Sequence, residues 1–216
     1  MIFVLVASVL LLFYLVMVIT FIVSWKKLPE FEPSHHFEQK KISVSIVVCC
    51  HNEEEKLPQL LSALLCQTHS DYELVMVDDH STDGTYKIMQ EFCSRFPKVK
   101  YFQSELKGKK HALQEAVDIA SGELIITTDA DCEPRKNWVE TICNFYWHFH
   151  PDLIIAPVEL KSNLKIFQQL QKLEFASLAA SGAGAAAFGK PILCNGANFA
   201  FPKKIYSIHV NDLHNE

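Results

Sequence analysis

Uncharged residues run without a break from Ile2 to Trp25. At about 1.5 Å per residue the run reaches roughly 36 Å as a helix, more than the hydrocarbon core of about 30 Å. A helix able to cross a bilayer is therefore expected over residues 1–25. A cleaved signal peptide fits less well: no basic segment precedes the run, and Ser24-Trp25-Lys26-Lys27 is no small-residue cleavage site. Lys26, Lys27, Lys40 and Lys41 follow the run and no Lys or Arg precedes it, which places the remainder on the cytoplasmic side of the cell membrane. Residues 26–42, with Pro29, Pro33 and the pair His35-His36, lack periodicity and form a juxtamembrane linker, its histidines either inert or open to a metal.

From residue 43 the pattern becomes that of an α/β protein. Residues 43–50 (SVSIVVCC) are a short β-branched run suited to a strand buried on both faces. Asn52 with Glu55 three residues on suggests a capping box, and Leu57, Leu60, Leu61, Leu64 and Leu65 recur at helical spacing. Strands are expected at 73–77, 99–102 and 123–128. Helices are expected around Ile88, Met89 and Phe92, and after Gly108 through Ala112, Ala116 and Val117, with Gly122 as a C-terminal glycine. A helix at 138–148, a strand at 153–158 and a long helix from about Leu164 into the Ala/Gly-rich 176–189 complete the pattern. Strands alternating with helices predict an open, mostly parallel sheet over residues 43–216, with ligands beyond the carboxyl ends of its strands.

Composition narrows the function. Setting the apolar run aside leaves about 190 residues, enough for one α/β domain. With 20 Lys+Arg against 25 Asp+Glu the net charge is -5, no nucleic-acid footprint, and fifteen Phe exclude a disordered chain. Seven cysteines without a C-x-x-C pair point to reduced core thiols.

Three acidic or basic groups fall at strand or helix ends. Asp129-Ala130-Asp131 closes a buried strand; such carboxylates suit a hard divalent ion shared with phosphate oxygens, or else form a solvated turn. Asp78-Asp79 is too acidic to cradle phosphate; it can hydrogen-bond a base or ribose, or Asp78 or Ser81 can cap the next helix. Gly108-Lys109-Lys110-His111 offers amides and cations to a phosphate, or simply a solvated face.

Five segments in order carry a resemblance: Ser45-Ile46-Val47-Val48 with Asn52-Glu53-Glu54; Val77-Asp78-Asp79-His80-Ser81-Thr82-Asp83-Gly84-Thr85; Gly108-Lys109-Lys110-His111-Ala112-Leu113; Ala120-Ser121-Gly122-Glu123 with Thr128-Asp129-Ala130-Asp131; and Asn195-Gly196-Ala197-Asn198-Phe199-Ala200-Phe201. Over residues 43–202 the chain resembles the family 2 glycosyltransferases of GT-A fold. The resemblance implies inverting transfer from a nucleotide-diphosphate sugar, a UDP-sugar first, to a glycan or lipid-linked acceptor at a membrane. It gives Asp79 the base, Asp129 the ribose or sugar side, and Asp131 an Mg²⁺ or Mn²⁺ ion bridging the diphosphate. Cys49, His51 and Glu53 would line the base pocket and Lys109 would serve the donor. His51 stands where the family often has Tyr, and Cys49 where Pro is usual.

The family's catalytic base is an Asp in an acidic motif after the G-A-N segment, followed by Q-x-x-R-W. Residues 199–216 contain neither, and Asp212 is their one aspartate. The base is thus expected beyond Glu216, in a longer enzyme with further membrane helices, and this chain is expected to bind donor with little turnover. Two rivals remain: a nucleotidyltransferase, which lacks a Gly-rich loop near residue 50, and a catalytically silent nucleotide-sugar binding module, which donor hydrolysis would distinguish.

Overall fold

The computed structural model describes residues 1–28, 31, 42–161, 165–193 and 196–206. His35, His36, Cys194, Leu164 and Asp212 lie outside them. Two compact units emerge, one of residues 1–31 with 157–195, the other of 32–156 with 196–216.

The larger unit is built on a six-stranded sheet. Its strands are β1 (Val44–Cys50), β2 (Tyr72–Asp78), β3 (Val99–Gln103), β4 (Leu124–Asp129), β5 (Ile154–Ile155) and β6 (Phe199–Pro202). The order is β3-β2-β1-β4-β6-β5; β1 to β4 are mutually parallel, and β6 runs antiparallel to β4 and β5. Period-two alternation divides β1 between two cores. Val44, Ile46, Val48 and Cys50 join Leu57, Leu60 and Leu64 of α2 (Leu57–Leu65) and Met89 of α3 (Thr85–Arg95). Val47 joins Ala112, Ala116 and Val117 of α4 (Lys109–Ile119) on the other face. α5 (Trp138–Phe149) adds Val139 and Ile142 to the first core.

Local expectations fail at four places. Asn52 is not an N-cap: α2 begins at Leu57 after Lys56, with Pro58 in its first turn, and Asn52 takes a left-handed φ of 56°. Gly122 does not close α4 with a left-handed turn; Ala120 ends it in extended backbone. Gly122 is needed instead for close approach, since a β-carbon there would lie 2.4 Å from Ser45 N. The strand expected at 153–158 shrinks to Ile154–Ile155. β6 was outside the expectation because four residues carry no period; its pairing with Leu124 to Thr127 of β4 makes it a strand.

Where β1, β2 and the α4–β4 connection meet, Glu73 gathers three donors. Ser45 Oγ donates at 2.5 Å, Ser121 N at 2.5 Å and Lys100 Nζ at 2.7 Å. Burial alone would raise the Glu73 carboxyl, but the Lys100 ammonium and the Ser121 and Ser45 hydrogen bonds outweigh it and bring it down to about 2. Because the folded value lies below the ordinary glutamate value of about 4.3, this stabilisation is full above about pH 5 and lost as pH falls through about 2. Glu73→Gln should therefore cost about 1–2 kcal/mol at neutral pH. Denaturation curves of wild type and variant should converge as the pH approaches 2.

The smaller unit contains α1 (Ile2–Trp25) and α6 (Ile166–Ala187). Among the described helices α1 alone is long and apolar enough to cross a membrane, with a mean hydropathy of 3.1.

Candidate functional site

The chain passes from β1 to β2 and β3 on one side, then returns through α4 to place β4 on β1's other side. The strand order reverses between β1 and β4, and in an open α/β sheet the ligand crevice lies beyond the carboxyl ends of the strands at such a point. Cys49 and Asp129 are register partners across it. Burial pushes the Cys49 thiol up to about 12; nearby Lys109 opposes that, and Asp129 and Asp79 add to it. Strand register joins Cys49 to Asp129, Lys109 Nζ donates to Asp129, and the neighbouring Gly108 N donates to Asp79, so the four residues gather at one end of the sheet. A thiol so placed is a neutral wall, not a nucleophile. All six described cysteines are unbridged, but Cys66 is exposed, so it is not the core thiol the composition suggested.

β2 delivers two aspartates to different tasks. Asp78 is fully buried and its carboxylate accepts from Ser81 N (3.2 Å) and Gln103 Nε2 (3.1 Å). It braces the loop and is closed to ligand. Neither Asp78 nor Ser81 caps α3; Asp83 Oδ1 does the local work, accepting from Thr85 N and Thr85 Oγ1. Asp79 is half-buried, and its Oδ1 accepts from Gly108 N at 2.7 Å. That bond ties the end of β2 to the start of α4 and so positions Lys109.

Lys109 Nζ donates to Asp129 Oδ1 at 2.5 Å. Burial disfavours the ammonium, yet the Asp129 carboxylate more than compensates and raises it. The pair keeps a cation beside a carboxylate at the mouth of the crevice. Asp131, two residues on, is exposed at its carboxylate and meets Lys56 Nζ at 3.7 Å. Lys56 also lies 3.9 Å from Glu53, whose backbone N–H donates to Thr85 Oγ1 at 2.8 Å.

His51 is exposed, and its Nδ1 donates to the Asp79 carbonyl at 2.6 Å. Asn52 Nδ2 donates to His51 Nε2 at 3.4 Å, consistent with a proton on Nδ1. The imidazole is thus held over the β1–β2 edge of the crevice. All seven residues singled out from the sequence, Cys49, His51, Glu53, Asp79, Lys109, Asp129 and Asp131, lie at or just beyond the ends of β1, β2 and β4 or the start of α4.

A clasp between the two loops was not anticipated. Asn52 N donates to Ser81 Oγ (2.9 Å) and Asn52 Oδ1 accepts from Thr82 N (2.8 Å). Glu54 N donates to Asp83 Oδ2 (3.2 Å) and Glu54 Oε2 accepts from Gly84 N (2.6 Å). Polar turns leaving adjacent parallel strands were the available signal. The G-A-N segment docks likewise: Thr127 Oγ1 donates to the Gly196 carbonyl (2.7 Å), and Trp138 Nε1 donates to Asn198 Oδ1 (2.9 Å).

Divalent-ion chemistry can be tested against these donors. Among the described residues no group of three or more His, Cys, Asp or Glu forms a cage. Asp131 offers an accessible carboxylate that meets an exposed lysine and, at 4.0 Å, the Cys132 thiol, and Asp129 stands two residues away. This set fits a hard cation that takes one or two carboxylates and completes its shell with substrate phosphate and water.

Comparison with known proteins supports the family and the fold. The family described as glycosyl transferase family 2 matches residues 45–206. Glycosyltransferase AglE of Haloferax volcanii is 31% identical over 100 residues, covering 45% of this chain and 33% of that protein. The poly-beta-1,6-N-acetyl-D-glucosamine synthase of Staphylococcus epidermidis is 26% identical over 147 residues, 65% of this chain and 34% of that protein. The chain thus spans about a third of the length of these relatives. A solved mannosyltransferase, PcManGT from Pyrobaculum calidifontis in complex with GDP-Man and Mn²⁺, shares the fold with a TM-score of 0.65 at 21% identity, over 87% of this chain and 52% of that one. A match that takes in three quarters of the 216 residues, from β1 through β6, leaves one conclusion: the chain belongs to glycosyl transferase family 2.

Proposed function

We propose that this chain is the donor-binding part of a membrane-anchored, inverting glycosyltransferase that takes a UDP-sugar with Mg²⁺ or Mn²⁺ and serves a glycan or lipid-linked acceptor. The observation that carries the reading is the convergence of Asp79, Lys109, Asp129 and Asp131 at the strand ends flanking one switch point. Asp79 and His51 would receive the nucleoside, and Asp129 the ribose or sugar. Asp131 would hold the ion, with Lys109 beside the diphosphate. When bound, the ion would offset charge developing on the departing diphosphate. The names of the relatives support a sugar-transferring enzyme, one of them a polysaccharide synthase. α1 would anchor the chain with Lys26 and Lys27 on the cytoplasmic side.

A panel of nucleotide sugars screened for protection against thermal unfolding, with and without Mn²⁺, tests this directly. Metal-dependent protection by UDP-sugars is expected; no protection by any nucleotide sugar would overturn it. Asp79→Asn should keep an oxygen for Gly108 N–H and lose the charge, so nucleotide affinity should fall about tenfold with thermal stability retained. Calorimetric titration of UDP checks this; an unchanged affinity would return Asp79 to a purely structural task.

A further inference from the structure

No Asp, Glu, Lys or Arg occurs between Glu174 and Lys190, and residues 175–189 are entirely Ala, Gly, Ser, Leu and Phe. This half of α6 packs against α1. A β-carbon on Gly184 would lie 2.6 Å from Phe21 Cβ and 2.8 Å from the Phe21 carbonyl oxygen, so the two backbones touch as in small-residue pairs of membrane helices. Gly182, Gly184 and Ala185 are buried, and in α1 burial is confined to partial cover of Val18, Thr20, Phe21 and Ser24.

After α6 the chain turns back on itself. Gly189 N donates to the Ala186 carbonyl and Lys190 N to the Ala185 carbonyl, each at 2.9 Å, and Leu193 comes against Gly182. The turn leaves Phe188 54%, Ile192 68% and Leu193 49% exposed. Water is a poor environment for such a cluster. Its depth follows from α1: Phe21 lies five residues before Lys26, about 7.5 Å along the helix, within the 5–10 Å that interfacial segments penetrate.

We propose that the C-terminal half of α6 and the 188–193 turn are embedded in the cytoplasmic leaflet beside α1, with phospholipid acyl chains covering Phe188, Ile192 and Leu193. Lys190, at the bend, reaches the phosphate headgroups along its aliphatic stem. The bilayer is then gripped at two places, by a spanning helix and by an apolar turn in its surface layer. This inference rests on the reading of α1 as an anchor. Continuity with α1 favours lipid over a protein partner.

The test places photoreactive benzoylphenylalanine singly at Phe13, Tyr86, Phe188 and Ile192 in the full chain. The protein is held in nanodiscs of phosphatidylethanolamine and phosphatidylglycerol, illuminated and analysed by mass spectrometry. Lipid adducts are expected at Phe13, Phe188 and Ile192, with none at Tyr86 in the sheet-bearing unit. Adducts at Phe13 with none at Phe188 and Ile192 would overturn the inference alone. So would adducts at those two positions to a second copy or another protein segment in place of lipid. Failure at Phe13 as well would remove the anchor reading and this inference with it.

Discussion

Asp131→Ala is expected to weaken metal-dependent UDP-sugar binding by about 10–10²-fold, the scale of losing one contact to a charged group worth about 1.5–3 kcal/mol. The carboxylate is half exposed, and its described ion pair is to Lys56 at 3.7 Å, itself 58% exposed. Such a surface pair contributes at most about 1 kcal/mol, so fold stability should hardly change. Loss of binding with an intact unfolding transition would therefore report on the ligand site and not on collapse. Titration of a UDP-sugar into wild type and variant with Mn²⁺ present measures it; equal affinities would remove Asp131 from the site.

Gly122→Ala should be the most damaging single methyl group in the larger unit. Its β-carbon would fall 2.4 Å from Ser45 N, 2.6 Å from the Val44 carbonyl carbon and 2.8 Å from Ser45 Oγ. Two of these are backbone atoms of β1, the strand paired on both sides, and they have no rotamer by which to escape. Relief requires shifting β1 or the start of β4, which also disturbs the Gly122 N to Ser45 Oγ bond (2.8 Å) and the Glu73 cluster beside it. Overpacking of this kind costs about 3 kcal/mol or more. Chemical denaturation should show it as a lowered midpoint; a loss below about 0.5 kcal/mol would mean that β1 yields more easily than its pairing implies.

The parts of the fold that were legible in the sequence are those where one period dominates. The β-branched run 43–50 and the leucines of α2 each obey a single geometry; the strand formed within a residue of expectation, and the leucine-bearing part of the helix formed although its start moved from Asn52 to Leu57. Asn52 shows why the rest was harder. Its spacing to Glu55 satisfies a local capping rule, but a partner 30 residues away, the Thr82 amide, wins its side chain. Gly122 carries the same lesson, since a glycine at a helix end and a glycine under a neighbouring strand look identical in sequence. For the site, acidic and basic residues at strand ends were visible because parallel sheets bring their carboxyl ends together. The division of labour within Asp78-Asp79 was not, because it depends on which side chain turns inward to Ser81 and Gln103.

In the proposed function a nucleotide diphosphate and a divalent ion complete this site together, since Asp131 and Asp129 supply too few ligands to hold the ion by themselves. Calorimetry on the wild-type chain tests it most directly, titrating UDP with Mn²⁺ present, UDP with chelator present, and Mn²⁺ without nucleotide. Binding of UDP should weaken at least about tenfold under chelation, and Mn²⁺ by itself should bind only weakly. UDP affinity that ignores the chelator, or tight Mn²⁺ binding in the absence of nucleotide, would contradict this reading.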